Sequence, residues 1–398
     1  MSRFDPLNDA MPWRASAMPR LRPWHVYLLF FCWTLFSLYV YSRFSTLGDS
    51  HSYLSGAYDD DDHAARTLMI TYLAEGAFAL VRVEFLAHLL FGLFAASGVA
   101  YLVSQARVHG RYRWPVLAIL LTPNFGVWAS VIGRESLFVG LLGYFLGAVI
   151  GYYRSPGVQR TLLAIACIAG MTFIRSPYGI GMGLFFMMVL AYRSGPRMHL
   201  SVGLQTTLLA IVFGMALIAA WPYLDAYIAG DVLPKAKGYF TLSSDTTRNW
   251  IQLDSTKTLF ASLWWTLPLA LVGPTPGEVL ARPMMLPFLL SGAVVFGSLL
   301  YSVGVAFRTP PGRERKLLLL GWLPAVAFVL VAYVPFGVYN SGSAIRYASC
   351  FLLFLVFPSL LLSSVEAEAA ERDTVPPALV PELLRKSLEQ AWHEATPR

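Results

Sequence analysis

Apolar runs of nearly bilayer-spanning length recur along almost the whole chain, and they constrain its fold more than any other feature. A bilayer core offers no water to satisfy backbone hydrogen bonds, so runs of this length cross it as α-helices. Only 13% of the 398 residues are charged, about half the usual fraction in soluble domains. The pattern excludes a soluble globular protein, a disordered chain and a disulfide scaffold. It predicts an all-α fold, a polytopic transmembrane helical bundle.

Ten spans are predicted in a transmembrane helical domain that covers residues 24–364. A cytoplasmic N-terminal segment, 1–23, precedes them, and no small-residue cleavage site follows the first apolar run, which we interpret as a retained helix. The predicted spans are 24–41, 84–105, 114–131, 136–153, 161–174, 178–192, 200–222, 284–306, 317–335 and 347–364. A further segment, 259–272, is short and contains Pro268, so we expect a re-entrant or interfacial element there. A complete crossing by this segment would give an eleventh span.

Basic residues give the predicted bundle its orientation, because loops rich in Lys and Arg stay in the cytoplasm. With the N-terminus inside, the short loops that carry most arginines all fall on the cytoplasmic face. These loops contain Arg107, Arg111 and Arg113; Arg154 and Arg160; Arg193 and Arg197; and Arg308, Arg313, Arg315 and Lys316. The net charge of +7 is therefore explained by topology, and no nucleic-acid partner is implied.

Three polar stretches lie outside the predicted bundle. External loop 43–83 includes a predicted helix, 66–82, along the membrane surface, and external loop 223–258 follows the seventh span. The cytoplasmic C-terminal tail, 365–398, has apolar residues at helical spacing over 380–392. We expect this part of the tail to contact the membrane or a protein partner.

A group of charged residues falls at external helix ends or in short external turns of the predicted topology. Its members come from four separate parts of the chain: Asp49, Arg134 with Glu135, Arg175 and Arg346. Charged side chains near membrane depth are costly, and residues without a function would show no preference for one side. The group therefore marks a candidate site. For each arginine, the alternative is an interfacial side chain that reaches the phosphates of ordinary lipids.

The sequence GDSHSYL, residues 48–54, follows the first predicted helix. Gly48 permits a tight turn, and Asp49 is a candidate general base or electrostatic partner. His51 and Tyr53 supply hydrogen-bond donors beside it and are candidate substrate-binding residues. The alternative for His51 is an ordinary solvated loop histidine.

The sequence TPNFGVWASVIGRESL, residues 122–137, joins two apolar helices through almost no loop. Pro123 breaks the first helix, Gly133 allows the turn, and Arg134 and Glu135 begin the second helix. A guanidinium held there can grip a phosphate through two parallel hydrogen bonds. Glu135 is a candidate for the same site, and its alternative role is to complement the helix dipole.

Two further turns place arginines at external helix ends. FIRSPYG, residues 173–179, ends a short span at Arg175, and SGSAIRY, residues 341–347, opens the last span with Arg346 and Tyr347. Arginines that converge on one external cavity would suit an anionic lipid headgroup, such as a phosphate or pyrophosphate.

Several familiar chemistries lack their residues in this sequence. It contains no P-loop, GxSxG or HExxH motif, and Cys32, Cys167 and Cys350 lie singly inside apolar runs, as buried core residues would. We predict no metal site and no required cofactor. A divalent cation is an alternative at the acidic run Asp59–Asp62, although consecutive aspartates more often form a solvated loop.

The polar turns together resemble a known group of proteins. A GDSxxY turn, a P-x-x-x-x-W-x-S-x-x-G-[KR]-[DE] hairpin and a late Arg-Tyr pair are similar to those of bacterial polytopic membrane proteins of polysaccharide assembly. These are glycosyltransferase C-fold enzymes and exopolysaccharide or O-antigen polymerase-like proteins. In this chain the hairpin pattern falls on Pro123, Trp128, Ser130, Gly133, Arg134 and Glu135.

The resemblance implies a glycosyltransferase C-like fold and transfer of sugar from a polyprenyl-phosphate-linked donor to a glycan or lipid acceptor. Asp49 would deprotonate the acceptor hydroxyl, while Arg134, Arg175 and Arg346 would hold the leaving lipid phosphate. The implied location is the bacterial inner membrane, with both termini cytoplasmic, membrane lipids around the bundle and envelope-assembly proteins as partners of the tail. The chain departs from the pattern in carrying Arg-Glu where Lys-Asp is commoner.

Two other functions fit the same predicted topology. A transporter or flippase for a lipid-linked or anionic substrate would place ionisable residues near mid-membrane along an alternating-access path. A non-catalytic scaffold would instead use the tail and the second external loop to gather other membrane proteins. The gathering of charged residues at one face favours the transferase.

Overall fold

A computed structural model of the protein describes residues 20–57, 64–194, 202–241 and 248–373. Within these ranges every regular element is a helix, which confirms the predicted all-helical class. Most of the predicted N-terminal segment, the acidic run 59–62 and the predicted tail helix 380–392 lie outside the described residues.

Nineteen α-helices form the described part of the chain. They are α1 Pro23–Tyr39, α2 Ser50–Leu54, α3 Ala65–Val81, α4 Glu84–Ala106, α5 Arg113–Leu120, α6 Pro123–Ala129, α7 Arg134–Arg154, α8 Val158–Ile174, α9 Ser176–Ser194, α10 Val202–Tyr227, α11 Leu233–Thr241, α12 Thr256–Val272, α13 Pro276–Ala281, α14 Leu286–Arg308, α15 Arg313–Leu317, α16 Leu323–Gly337, α17 Ser341–Ser349, α18 Leu352–Leu355 and α19 Phe357–Asp373. Single π-helical turns join α10 to α11 and α15 to α16.

Within the described ranges, six helical stretches are long and apolar enough to cross a membrane, against the ten spans predicted. They are Pro23–Arg43, Glu84–Ala106, Arg134–Arg154, Ile211–Gly238, Pro283–Arg308 and Arg313–Gly337. Helices α8 and α9 are apolar but shorter, at 17 and 19 residues. The chain is thus a multi-pass helical protein whose apolar segments are in part too short or too broken to count as full spans.

Breaks in the helices account for much of this difference. Predicted span 114–131 is two helices, α5 and α6, because Thr122 adopts an extended backbone and Pro123 starts the next helix. A residue before proline avoids the helical region, and proline itself donates no backbone hydrogen bond. Predicted span 347–364 is likewise divided among the end of α17, α18 and the start of α19.

Glycines let α4 and α7 pack with their backbones almost in contact. A Cβ added to Gly98 would lie 2.0 Å from the carbonyl oxygen of Gly140, and one added to Gly143 would lie 2.3 Å from the carbonyl carbon of Gly98. Small residues are the usual means of close helix association in membranes. The pairing anchors α7, whose first residues, Arg134 and Glu135, belong to the candidate site.

The doubtful segment 259–272 lies within one continuous helix, α12, that passes through Pro268. The helix ends at Gly273, where φ is +80°, and it packs closely on α14: a Cβ on Gly292 would lie 1.8 Å from the Val272 carbonyl oxygen. The indole of Trp265 stacks on that of Trp250 at 5.9 Å. The segment is therefore a regular helix, and its re-entrant or interfacial placement stays a prediction.

One predicted external stretch contains the helix that was expected, and the other is more helical than expected. Helix α3 lies where a helix was predicted at 66–82, but the predicted loop 223–258 begins inside a helix that continues through Thr241. The charged residues that end the apolar run do not break this helix, since Lys235 and Asp231, one turn apart, form an ion pair at 2.9 Å.

The predicted tail also begins inside a helix, because α19 continues to Asp373. This helix packs against the loop after α4: the Ser363 hydroxyl accepts a hydrogen bond from the His109 backbone N–H at 3.1 Å, and Arg111 pairs with Glu366 at 3.2 Å. Residues of α19 also lie near Arg154, the last residue of α7. The candidate site is at the other end of α7, where Arg134 begins the helix.

The prediction that all three cysteines are buried is wrong for one of them. Cys167 and Cys350 are buried, whereas Cys32 is exposed on α1. In a membrane protein an apolar position can face lipid as well as the protein core, so apolarity alone does not separate the two.

Candidate functional site

Four of the predicted charged residues meet in one chain of ion pairs of alternating sign. Arg346 donates from Nη2 to Asp49 Oδ2 at 2.9 Å and from Nε to Glu135 Oε1 at 2.9 Å. Arg175 Nη2 donates to the same Glu135 oxygen at 2.5 Å. The structure thus brings together residues from the turn before α2, the start of α7, the end of α8 and the last turn of α17.

The turn before α2 is shaped so that Asp49 can reach Arg346. Gly48 has φ +61°, a conformation that glycine adopts at little cost. A Cβ there would lie 2.6 Å from Arg346 Nη1, so the absence of a side chain also makes room for the guanidinium. Gly48 therefore has the predicted role of a turn residue and a second role, to leave space for the Arg346 guanidinium, which only the fold reveals.

Glu135 lies at the centre of the ion-pair chain rather than on its surface. Its side chain is 3% exposed and accepts hydrogen bonds from both Arg175 and Arg346. One carboxylate offsets half of the charge of the two guanidinium groups, and Asp49, which pairs with Arg346, supplies the second negative charge. We therefore interpret Glu135 as a residue that positions the two arginines, more than as one that contacts a ligand directly.

Aromatic faces hold the two paired arginines. The guanidinium carbon of Arg175 lies 3.9 Å from the centre of the Tyr347 ring, which stacks on Phe336 at 5.8 Å. The guanidinium carbon of Arg346 lies 5.7 Å from the centre of the Trp128 ring. These contacts stabilise the cations and restrict their rotation. Tyr347, predicted to bind substrate, thus acts on Arg175.

Arg134 differs from the other two arginines because its partners are neutral. It donates from Nε to Tyr53 Oη at 2.9 Å and from Nη2 to Thr67 Oγ1 at 3.2 Å. Among the described residues no carboxylate lies within ion-pair distance of it. Arg134 therefore keeps an uncompensated positive charge, which is what an anionic ligand requires.

The surroundings of Arg134 are electropositive and partly dry. Arg66 lies at the start of α3 with much of its side chain exposed. Partial desolvation of its guanidinium, together with the nearby charges of Arg134 and Arg175, lowers the pKa of Arg66. Tyr53 is fully buried; this burial raises the pKa of its hydroxyl to about 12, against the opposing effect of Arg134. Tyr53 is thus a neutral hydrogen-bond partner that orients Arg134.

One predicted site residue stays apart from the rest. His51 is exposed on α2, and its ring takes part in no hydrogen bond or ion pair with the residues that the structure describes. The neighbouring Ser50 is buried instead, and its hydroxyl donates to the Ile132 carbonyl at 2.6 Å.

An apolar groove of about 430 Å³ is lined by residues that lie close in sequence to Arg134 and Arg175. It lies between α3, α4, α7 and α8, and its lining includes Met69, Phe94, Leu137, Phe173 and Ile174. Met69 follows Thr67 by two residues, Leu137 lies one helical turn beyond Arg134, and Ile174 immediately precedes Arg175. The groove is thus built from the same parts of α3, α7 and α8 that carry Thr67, Arg134 and Arg175.

Sequence reasoning missed the side chains that support the hairpin between α6 and α7. The Thr34 hydroxyl donates to the Ser130 carbonyl at 3.1 Å, and the Ile132 backbone N–H donates to His88 Nδ1 at 3.0 Å. In the sequence, His88 is only one of two histidines inside predicted spans, the other being His25 at the start of the first span. Nothing local in the sequence indicates that it faces a segment 44 residues away.

The described residues contain no group of three His, Cys, Asp or Glu side chains that could hold a metal ion. The acidic run Asp59–Asp62, where a divalent cation was the alternative, lies outside the described ranges. A cation bound by that run stays a prediction.

No family model, curated protein or solved structure shows significant similarity to this chain. The class of protein therefore comes from the fold itself, which is all-helical with several helices able to cross a membrane. The charged residues of the candidate site meet at one end of this bundle, beside an apolar groove.

Proposed function

We propose that this protein is an integral membrane glycosyltransferase or polysaccharide polymerase-like enzyme. It would transfer sugar from a polyprenyl-phosphate-linked donor to a glycan or lipid acceptor at the external face of the inner membrane. The observation that carries the proposal is Arg134, whose guanidinium is bound by two hydroxyl groups and by no carboxylate of the described residues, at the start of a helix that also lines an apolar groove. A cation next to an apolar groove matches a ligand with an anionic headgroup and a hydrocarbon tail.

The reaction assigns one role to each charged group. The Asp49 carboxylate accepts the proton of an acceptor hydroxyl, the acceptor oxygen bonds to the anomeric carbon, and the bond from that carbon to the phosphate oxygen breaks. Arg134 stabilises the negative charge that the departing lipid phosphate gains. Arg346 occupies Oδ2 of Asp49 and so leaves the other carboxylate oxygen to face the acceptor.

The remaining residues of the site position the charged groups that react or bind. Glu135 fixes Arg346 and Arg175 through a shared oxygen, and Tyr53 orients Arg134. Base catalysis of this kind contributes about 10² to 10⁴-fold to a rate. Arg175, 12% exposed and paired, supplies positive potential to the phosphate rather than a free hydrogen-bonding fork.

The test compares Asp49→Asn and Arg134→Ala with two matched controls, in cells whose membranes contain equal amounts of each variant. Glycan output and lipid-linked sugar are measured together. Arg43→Ala and Asp225→Asn serve as controls, because both residues are exposed and neither side chain belongs to the ion-pair chain. We expect output to fall by about 10²-fold or more in the site variants, with donor accumulating at the external face, and no change in the controls.

Other outcomes would contradict the proposal. Donor that accumulates only at the cytoplasmic face would instead support a flippase that uses the same residues. Unchanged output in both site variants would exclude both functions and favour the scaffold.

A further inference from the structure

We propose that His88 is a positioning residue for the candidate site. Its imidazole holds the backbone of Ile132, and through it fixes the place where Arg134 and Glu135 leave the hairpin. The inference rests on the proposed function in so far as that site binds a lipid phosphate.

The contact satisfies a backbone group that has no helical partner. Residues 130–133 form the non-helical link between α6 and α7, and Ile132 is 1% exposed. A buried N–H without a partner is costly, because it has lost its hydrogen bond to water and gained none from the protein. The Ile132 N–H avoids this cost by donating to His88 Nδ1 at 3.0 Å.

The same residue is held from its other side. The Ser50 hydroxyl lies 2.6 Å from the Ile132 carbonyl oxygen and 2.7 Å from the Leu47 carbonyl oxygen, and these two acceptors share its one hydrogen. Ser50 directly follows Asp49, so Ile132 connects the turn of the proposed base to the hairpin of Arg134. His88 and Ser50 therefore form a two-sided clamp, defined by these two hydrogen bonds, on one buried residue.

The clamp requires one form of the imidazole. Nδ1 accepts a hydrogen bond and so carries no proton, which leaves the proton of the neutral ring on Nε2. Nε2 points towards Glu84, whose carboxylate oxygen lies 3.8 Å away, beyond hydrogen-bonding distance. The function of His88 thus depends on an acceptor at the Nδ1 position alone.

This requirement makes the proposal testable by replacing His88 with each of the two residues that have an amide side chain. In His88→Asn the amide oxygen can occupy the position of Nδ1, whereas in His88→Gln it reaches the position of Nε2 and leaves the Ile132 N–H without an acceptor. His109→Gln is the matched control, because His109 lies at the opposite end of the bundle and contacts Ser363.

Two measurements on the purified full-length protein report on separate steps. Hydrogen exchange followed by mass spectrometry measures the opening of the hairpin around Ile132. Binding of a long-chain isoprenyl phosphate in lipid nanodiscs measures the position of Arg134. For His88→Gln we expect exchange about tenfold faster and binding about tenfold weaker, as the loss of one buried hydrogen bond implies. For His88→Asn and His109→Gln we expect both to stay within about twofold of the native protein.

The proposal is overturned if His88→Asn and His88→Gln behave alike, or if exchange accelerates while binding is unchanged. Should His88→Gln fail to fold, Ser50→Ala tests the other hydrogen bond of the clamp. We expect exchange about tenfold faster and binding about tenfold weaker in this variant too, because it also loses one buried hydrogen bond. If the native protein itself binds no isoprenyl phosphate, the proposed function fails, but the exchange difference between the two amides still decides whether the clamp exists.

Discussion

At the scale of single residues, the site consists of two kinds of arginine that the sequence does not distinguish. Arg175 and Arg346 share a carboxylate, whereas Arg134 is bound by two hydroxyl groups. All three begin or end a helix at the same face of the bundle, so each fitted the same prediction. Only the fold separates the two arginines that share a carboxylate from the one that pairs with no carboxylate of the described residues.

Glu135→Gln tests the importance of the shared carboxylate. The substitution keeps the side-chain volume but leaves two buried guanidinium groups without their common counter-charge. We expect the free energy of unfolding to fall by about 3 kcal/mol or more, as for other buried ion pairs with one partner removed. Thermal unfolding in detergent measures this loss. Glu84→Gln is the control, because the Glu84 side chain is 64% exposed, and equal melting temperatures for the two variants would contradict the interpretation.

At the scale of helices, the close packing of α4 and α7 positions the hairpin of the site. Gly143→Ala places a methyl group 2.3 Å from the carbonyl carbon of Gly98, so the two helices must separate. We expect destabilisation of about 1 to 3 kcal/mol, the usual cost of overpacking, together with weaker binding of an isoprenyl phosphate. Gly214→Ala is the control, because no atom lies within 4 Å of its added methyl group. Equal unfolding temperatures would show that the helices tolerate separation.

A second helix-scale contact joins the segment before α12 to α13. Arg248 is 2% exposed and donates to both carboxylate oxygens of Glu278 at 2.8 Å and to the Val338 carbonyl at 3.1 Å. Burial raises the pKa of Glu278, but the hydrogen bonds from Arg248 and from the Thr275 backbone outweigh it, so the pKa lies below its usual value of 4.5. The contact therefore stabilises the native state only while Glu278 is ionised.

This contact predicts a loss of stability in acid. A carboxyl whose native pKa is lowered contributes stability that is present above its unfolded pKa, near 4.5, and lost as the pH falls through the native value. We expect Glu278→Gln to melt at a lower temperature than the native protein at pH 7, and the gap to shrink steadily below pH 4.5. Glu278 titrates roughly between pH 4.5 and pH 3. A difference in melting temperature that stays constant over this range, or that widens in acid, would contradict the role assigned to the Arg248–Glu278 contact.

At the scale of the whole molecule, the candidate site and the contacts of α19 lie at opposite ends of α7. The distribution of arginines predicts that the site end is external. Two single substitutions test this orientation with a membrane-impermeant maleimide in intact cells. We expect His51→Cys to react from outside and Arg313→Cys to react only after the membrane is opened, since both positions are exposed at opposite ends.

The native protein is the control for this labelling, because Cys167 and Cys350 are buried and Cys32 lies on an apolar helix. Reaction of Arg313→Cys alone in intact cells would invert the topology. It would also place the candidate site on the cytoplasmic face and exclude an external transfer reaction.

The sequence alone was enough for the helical class, for most helix positions and for the residues that end up together. Apolar length dictates helices in a bilayer, and the cost of charge near membrane depth singles out Asp49, Arg134, Arg175 and Arg346. Both signals are local, since they depend on the composition of a segment and not on its neighbours.

Only the tertiary structure decided how those residues divide their roles. Whether an arginine is neutralised by Glu135, whether His88 faces a distant hairpin, and whether Cys32 faces lipid all depend on contacts between segments far apart in the chain. Such contacts follow from how helices pack. Helix packing is set by small residues and by shape complementarity across pairs of helices, which no single segment of the sequence contains.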